Sequence, residues 1–287
     1  MVAKAQTAVV SIVLIVLVGF ATAMLAQLNP AMLAPAGYPP FRYIFASVAL
    51  TFFAYLGFGV IAFTGGDIKD PRKNLPRAMY IALGFTMLLY VALAVGVFGT
   101  LSVEQVIASA DTALAVAALP IFGAIGFTLI SIAAVFATMG ATNSQLYATI
   151  GVSYAMARDG YLPPSFGFKF RGGAEGTRGM VIGSAIAILL AVFWDLSAIA
   201  SVGSAVALAI FALITVAHLR MAKETGASRA VLVVALVGTS LAILLFAWYT
   251  LLTDPRTFVF LVATIILAWV VEAIWRWMSK RQVGNAA

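Results

Sequence analysis

Eight apolar stretches, roughly 7 to 28, 43 to 64, 79 to 101, 120 to 147, 179 to 194, 196 to 218, 229 to 252 and 257 to 278, alternate with short polar segments along the chain. Each is near the length that crosses about 30 Å of hydrocarbon at about 1.5 Å per residue, the fifth being short and the fourth long. The pattern predicts an all-α polytopic membrane protein with eight transmembrane helices in a single transmembrane domain, 1–287. The first stretch begins at Thr7 and ends at Asn29-Pro30 with no small-residue cleavage pattern, so it reads as a span and not as a signal peptide.

The second stretch departs from the others. Between Phe52 and Ala78 the helical phase is interrupted at Gly57-Phe58-Gly59, returns for about one turn, and ends at Gly65-Gly66-Asp67 before the proline-bounded segment DIKDPRKNLPRA. Backbone exposed by such a break survives at membrane depth only against protein or a water-filled cavity, and discontinuous helices build midplane binding sites. The glycines also fit close helix packing, and the sequence leaves both readings open. Pro76 is placed to open the third helix.

Charge supplies the topology. One side of the membrane collects Lys4; Lys69, Arg72, Lys73 and Arg77; Arg158, Lys169, Arg171 and Arg178; Arg220, Lys223 and Arg229; and Arg276, Lys280 and Arg281, while the other has only Arg42 and Arg256. That asymmetry predicts cytoplasmic termini, while the absence of Cys and of any Asn-x-Ser/Thr acceptor, with very short external loops, points to a cytoplasmic membrane. The net charge of +7 is therefore a topology signal. The bases are spread over five short segments with no nucleic-acid-binding motif around them, which argues against a nucleic-acid partner. With 63% hydrophobic and 9% charged residues and a mean hydropathy of +1.08, the partner of the outer surface is the lipid bilayer. There are no cysteines to pair.

No enzyme constellation, metal site or cofactor motif is visible, and no acid or base falls in the middle of a span. His218 closes the sixth stretch at an interface, Asp195 reads as the N-cap of the helix starting near Leu196, and Glu272 and Arg276 are spaced as an i, i+4 pair. Ion coupling would have to use neutral oxygens, and the fourth stretch supplies them. Ser131, Thr138, Thr142, Gln145 and Thr149 share one helical face, while Gly126, Ala133, Ala137, Gly140 and Ser144 form a small-residue face opposite. The hydroxyls equally suit bonds to their own helix. For a small-molecule substrate, the Gly57 to Gly59 break offers backbone dipoles, Tyr55, Phe58 and Phe63 an aromatic wall, and Asn143 and Ser144 further polar contacts.

Three stretches carry a family likeness. AYLGFG (54–59) with TGGDIKDPRKNLPRA (64–78), LISIAAVFATMGATNSQLYATIGVSYAMARDGYLP (129–163) and SVGSAVALAIFALITVAHLR (201–220) resemble, in order, the sixth helix, the eighth helix with its following cytoplasmic helix, and the tenth helix of the amino acid, polyamine and organocation transporter superfamily. The resemblance implies a LeuT-type fold of inverted repeats, in which the eight stretches correspond to the family's fifth to twelfth helices. Most of the first repeat then has no counterpart before Met1, so helices preceding it, or a second chain, are expected. The implied activity is secondary active transport of amino acids or related amines by alternating access, as part of a longer chain; the alternative is a truncated or half-unit membrane protein with an assembly or regulatory role. The family position of Phe58 is a gate. Gly59 stands where many members have Glu, and Ala137-Thr138 stands where sodium-coupled relatives carry two hydroxyls, so the coupling ion, proton or sodium, is left open among Ser131, Thr138 and Thr142.

Overall fold

The computed structural model describes residues 2–34, 38, 40, 43, 44, 47, 51–253 and 255–279, and every regular element among them is helical. Six helices are long and apolar enough to cross a membrane: Gln6–Ala26, Pro71–Phe98, Leu119–Arg158, Leu196–Arg220, Arg229–Leu252 and Pro255–Met278. The chain is an all-α polytopic membrane protein. Of the eight expected stretches, the fifth is realised as Thr177–Phe193, and only the piece Phe52–Ala62 of the second counts as an apolar helix. At about 1.5 Å per residue the 17 residues of the fifth reach only about 26 Å. Most of the expected second span before Thr51 lies outside the described residues.

The chain divides into two compact units, the first comprising 1–38 and 57–148 and the second 39–56 and 149–287. In the first, helix α1 (Val2–Ala26) packs on α2 (Pro71–Phe98). Phe20, Ala21 and Met24 of α1 and Leu89, Leu93 and Val97 of α2 are buried in one cluster with Ala117, Ala118 and Ile130. Close approach is enforced at Gly96, where an added Cβ would lie 2.8 Å from the Met24 Cβ. Two short helices follow, α3 (Val103–Ser109) and α4 (Ala113–Ala117). A reciprocal capping box between Ser102 and Gln105 starts α3, and its N-terminal backbone N–H and the Ser102 side chain hold the Glu104 carboxyl below its ordinary pKa.

Helix α5 (Leu119–Arg158) enters with left-handed backbone at Gly123 (φ 62, ψ −155), which kinks its first turn. It then runs without interruption to Arg158. Where the resemblance implies a membrane helix followed by a separate cytoplasmic helix, the structure has one continuous helix, and 124–158 contains no proline to interrupt it. Pro76 does not open the helix that its position predicted it to open. The structure opens α2 at Pro71, after Asp70 in the left-handed region, and Pro76 sits inside the helix, where it gives up one backbone bond near the first turns.

The second unit contains α6 (Thr177–Phe193), α7 (Leu196–Arg220), the single turn α8 (Ala222–Thr225), α9 (Arg229–Thr253) and α10 (Pro255–Ser279). Val202 and Leu208 of α7, Phe246 of α9 and Leu261 of α10 form its core, with Phe52 packed against them. Asp195 caps α7 as its spacing predicted, accepting from the Ala198 N–H at 2.8 Å. The Arg276–Glu272 pair also forms, at 3.3 Å. Large apolar side chains such as Ile15, Leu88, Val234 and Trp277 point outwards, as lipid-facing residues do.

Candidate functional site

The candidate substrate residues of the second stretch lie on one unusual element. Phe52–Asp67 is a 3-10 helix of 16 residues, whereas such helices seldom exceed three or four residues. The sequence predicted a break at Gly57-Phe58-Gly59; the structure has in its place a change of helix type along the whole segment. The physical consequence is similar, since each backbone N–H reaches the carbonyl three residues back in a poorer geometry than the α-helix allows. Residues three apart then eclipse, so Phe52, Tyr55, Phe58 and Ile61 form one row, and all four are half-buried.

Gly57 and Gly59 are not packing glycines among the described residues. A Cβ at either would meet no heavy atom within 4 Å. Close approach occurs instead at Gly203 of α7, where an added Cβ would lie 2.8 Å from the Phe53 ring, and Phe52 meets Phe211 edge-to-face at 6.0 Å. The start of the 3-10 segment is thus anchored on α7. The side chain of Phe63 lies outside the described residues.

On α5, Thr138, Thr142 and Asn143 line one groove of about 570 Å³ with Val135, Met139 and Leu146. Ser131 lies outside it. The hydroxyls of Ser131, Thr138 and Thr142 donate to the carbonyls of Phe127, Ala134 and Thr138, at 2.8, 2.6 and 2.9 Å. Each proton is therefore directed at its own helix, which leaves the oxygen lone pairs as neutral ligands for a cation or proton donor.

The opposite, small-residue face of α5 receives α1, and the residue that meets it escaped the sequence reading. Gln6 donates from Nε2 to the Gly140 carbonyl at 2.9 Å and to Ser144 Oγ at 3.0 Å, and its Oε1 accepts from Asn143 Nδ2 at 2.7 Å. Ser144 in turn donates to the Gly140 carbonyl at 3.0 Å. Asn143 thus serves both the groove and this helix–helix junction. Gln6 sits one residue before the first apolar stretch, and its only sequence signal is its i, i+4 spacing to Val10, which also approaches Gly140. His218 bonds Thr225 Oγ1 at 3.0 Å and joins α7 to α8.

A model of the amino acid permease family matches residues 4–273. The chain belongs to the amino acid permease family. It is similar to an uncharacterized protein of Methanocaldococcus jannaschii, 34% identical over 286 residues, covering 99% of this chain and 65% of the relative. It is also similar to the inner membrane transport protein YbaT of Escherichia coli, 28% identical over 273 residues, covering 95% of this chain and 63% of the relative. A third relative, the serine/threonine exchanger SteT of Bacillus subtilis, is 34% identical over 118 residues, 41% of this chain and 27% of its own length. The permease thus spans less than two thirds of the length of the first two relatives.

Proposed function

We propose that this permease is a secondary active transporter of amino acids or related amines, seated in the cytoplasmic membrane with both termini on the cytoplasmic side and working by alternating access. The observation that carries the reading is the 3-10 segment Phe52–Asp67 with Tyr55 and Phe58 in one row. A 3-10 helix rises about 2.0 Å per residue and an α-helix about 1.5 Å, so conversion of all 16 residues shortens the segment by about 8 Å. Conversion also changes the turn per residue from about 120° to about 100°, which disperses the aromatic row. Phe58 then acts as the gate, leaving the row as the segment changes type, and Gly57 and Gly59 spare it the side-chain crowding that would fix one form.

In this reading the Gly57 and Gly59 backbone, Phe58 and Asn143, all of the first unit, contact substrate. The lone pairs of Ser131, Thr138 and Thr142 take part in coupling to a proton or sodium gradient. Named relatives support the substrate class, one being a serine/threonine exchanger. The test is uptake of labelled amino acids into vesicles reconstituted with the native chain that carries this sequence. Gradient-driven, saturable accumulation of at least one compound is expected, and no movement above empty vesicles under proton or sodium gradients would remove the proposal.

A further inference from the structure

The segment joining α5 to α6 is a built structure. Tyr161 and Leu162 both donate their N–H to the Met156 carbonyl, at 2.8 and 3.1 Å, which folds the chain back as α5 ends. Gly176 N–H bonds the Gly167 carbonyl at 2.8 Å, and Phe170 N–H bonds Thr177 Oγ1 at 2.8 Å. Gly176 has a φ of 85°, and a Cβ there would overlap the Ile150 carbonyl, while one at Gly179 would overlap the Ser153 side chain. The loop is therefore pressed onto the last turns of α5. From α10, the Trp275 indole N–H donates to the Gly160 carbonyl at 3.1 Å and fixes the loop's other edge.

Between loop and helix lies a cleft of about 520 Å³, whose walls include Tyr154, Arg158, Phe168, Lys169 and Glu175. From 158 to 178 the chain carries four bases, Arg158, Lys169, Arg171 and Arg178, against two acids, Asp159 and Glu175. Arg158 commits its Nε to Asp159 at 2.9 Å, which leaves the terminal guanidinium nitrogens to face another acceptor. Lys169 has no ion pair among the described residues. Phe168 and Phe170 are 53% and 42% exposed and alternate with Lys169 and Arg171. Arg178 lies 6.0 Å from the Phe168 ring centre and Arg171 5.6 Å from that of Phe170.

Bases that reach phosphates beside aromatic rings that reach the glycerol level are the chemistry of a bilayer interface, and this loop joins the membrane helix α5 to the shorter apolar helix α6. We propose that the cleft seats the headgroup of an acidic phospholipid from the surrounding bilayer. Lys169 and Arg158 donate to its phosphate, and Phe168 and Phe170 lie against its glycerol and upper acyl chain. Glu175 on the same wall disfavours a polyanionic headgroup and favours a singly charged one, such as phosphatidylglycerol. The inference rests on the membrane location and not on transport.

The test reconstitutes the full chain in vesicles of phosphatidylglycerol and phosphatidylcholine in equal parts, extracts it in mild detergent, and measures the retained lipid by mass spectrometry. Wild-type protein should retain phosphatidylglycerol over phosphatidylcholine, and Lys169→Gln should lower that enrichment about fivefold, the usual worth of one base at a lipid surface. Lys169→Arg should preserve the enrichment, and Lys223→Gln, which removes a base outside the cleft, should leave it unchanged. Equal retention of the two lipids by wild type, or wild-type enrichment in Lys169→Gln, would overturn the proposal. So would displacement of the lipid by millimolar glycerol phosphate, which would make this a site for a soluble anion.

Discussion

Asn143 Nδ2 donates to Gln6 Oε1 at 2.7 Å and so joins two helices through residues 137 apart in sequence. The amide of Gln6 is used at both ends, since its Nε2 serves Gly140 and Ser144. In an apolar surround a carboxamide that loses its partner has few alternatives, and this gives the junction its orientation as well as its energy.

Gln6→Ala and Asn143→Ala should each lower stability by about 1 kcal/mol. The two changes should be coupled by about 0.6 kcal/mol, the average for a hydrogen bond between membrane helices. Equilibrium unfolding of the two single variants and the double variant measures that coupling, and strict additivity would remove the junction from the account.

Gly96 and Gly57 should respond oppositely to the same methyl group. At Gly96 the new Cβ falls 2.8 Å from the Cβ of Met24, which is fully buried, so Gly96→Ala should cost about 1–3 kcal/mol by overpacking. At Gly57 nothing stands within 4 Å, and Gly57→Ala should be neutral or stabilise by about 0.5 kcal/mol through the unfolded chain. Melting temperatures of the two variants decide the contrast. A large loss at Gly57 would restore the close-packing role that the sequence left open.

Asp195→Ala removes the acceptor that holds the Ala198 N–H and should cost about 1 kcal/mol, with Asp195→Asn recovering most of it. Hydrogen exchange of the first turn of α7 reads the effect locally. Unchanged protection in the alanine variant would contradict the capping role.

Thr138→Val and Thr142→Val keep the side-chain shape but delete oxygen lone pairs. Their hydroxyls bond only carbonyls of the same helix in the described contacts, so each should change stability by less than about 1 kcal/mol. The dependence of uptake on the driving ion should weaken severalfold in at least one of them. Wild-type ion dependence in both would take the α5 stripe out of the coupling scheme.

The architecture was legible wherever one physical rule dominated. The apolar stretches 196 to 218, 229 to 252 and 257 to 278 became α7, α9 and α10 within a few residues, because lipid leaves an apolar chain little choice but a helix. Asp195 was legible because capping is local. The kind of helix over Phe52–Asp67 was not. Two glycines show that the α-helix is weak there but do not choose between a break and a 3-10 ladder, and the contacts of Phe52 and Phe53 with α7, which hold the start of the segment, are tertiary and leave no mark in the local sequence. Pro76 misled for a related reason, since Pro71 competes for the same role and the left-handed Asp70 settles it. Gln6 escaped because a polar residue at the edge of a span carries no sign of the distant carbonyl it meets.

Uptake of labelled amino acids by vesicles containing wild-type permease and the Phe58→Ala variant, measured side by side under an imposed gradient, reads transport and gating together. Wild type should accumulate label above empty vesicles, and removal of the gating ring should change the rate about tenfold. Vesicles that stay empty across the whole panel would contradict transport, and wild-type rates in Phe58→Ala would contradict the gate.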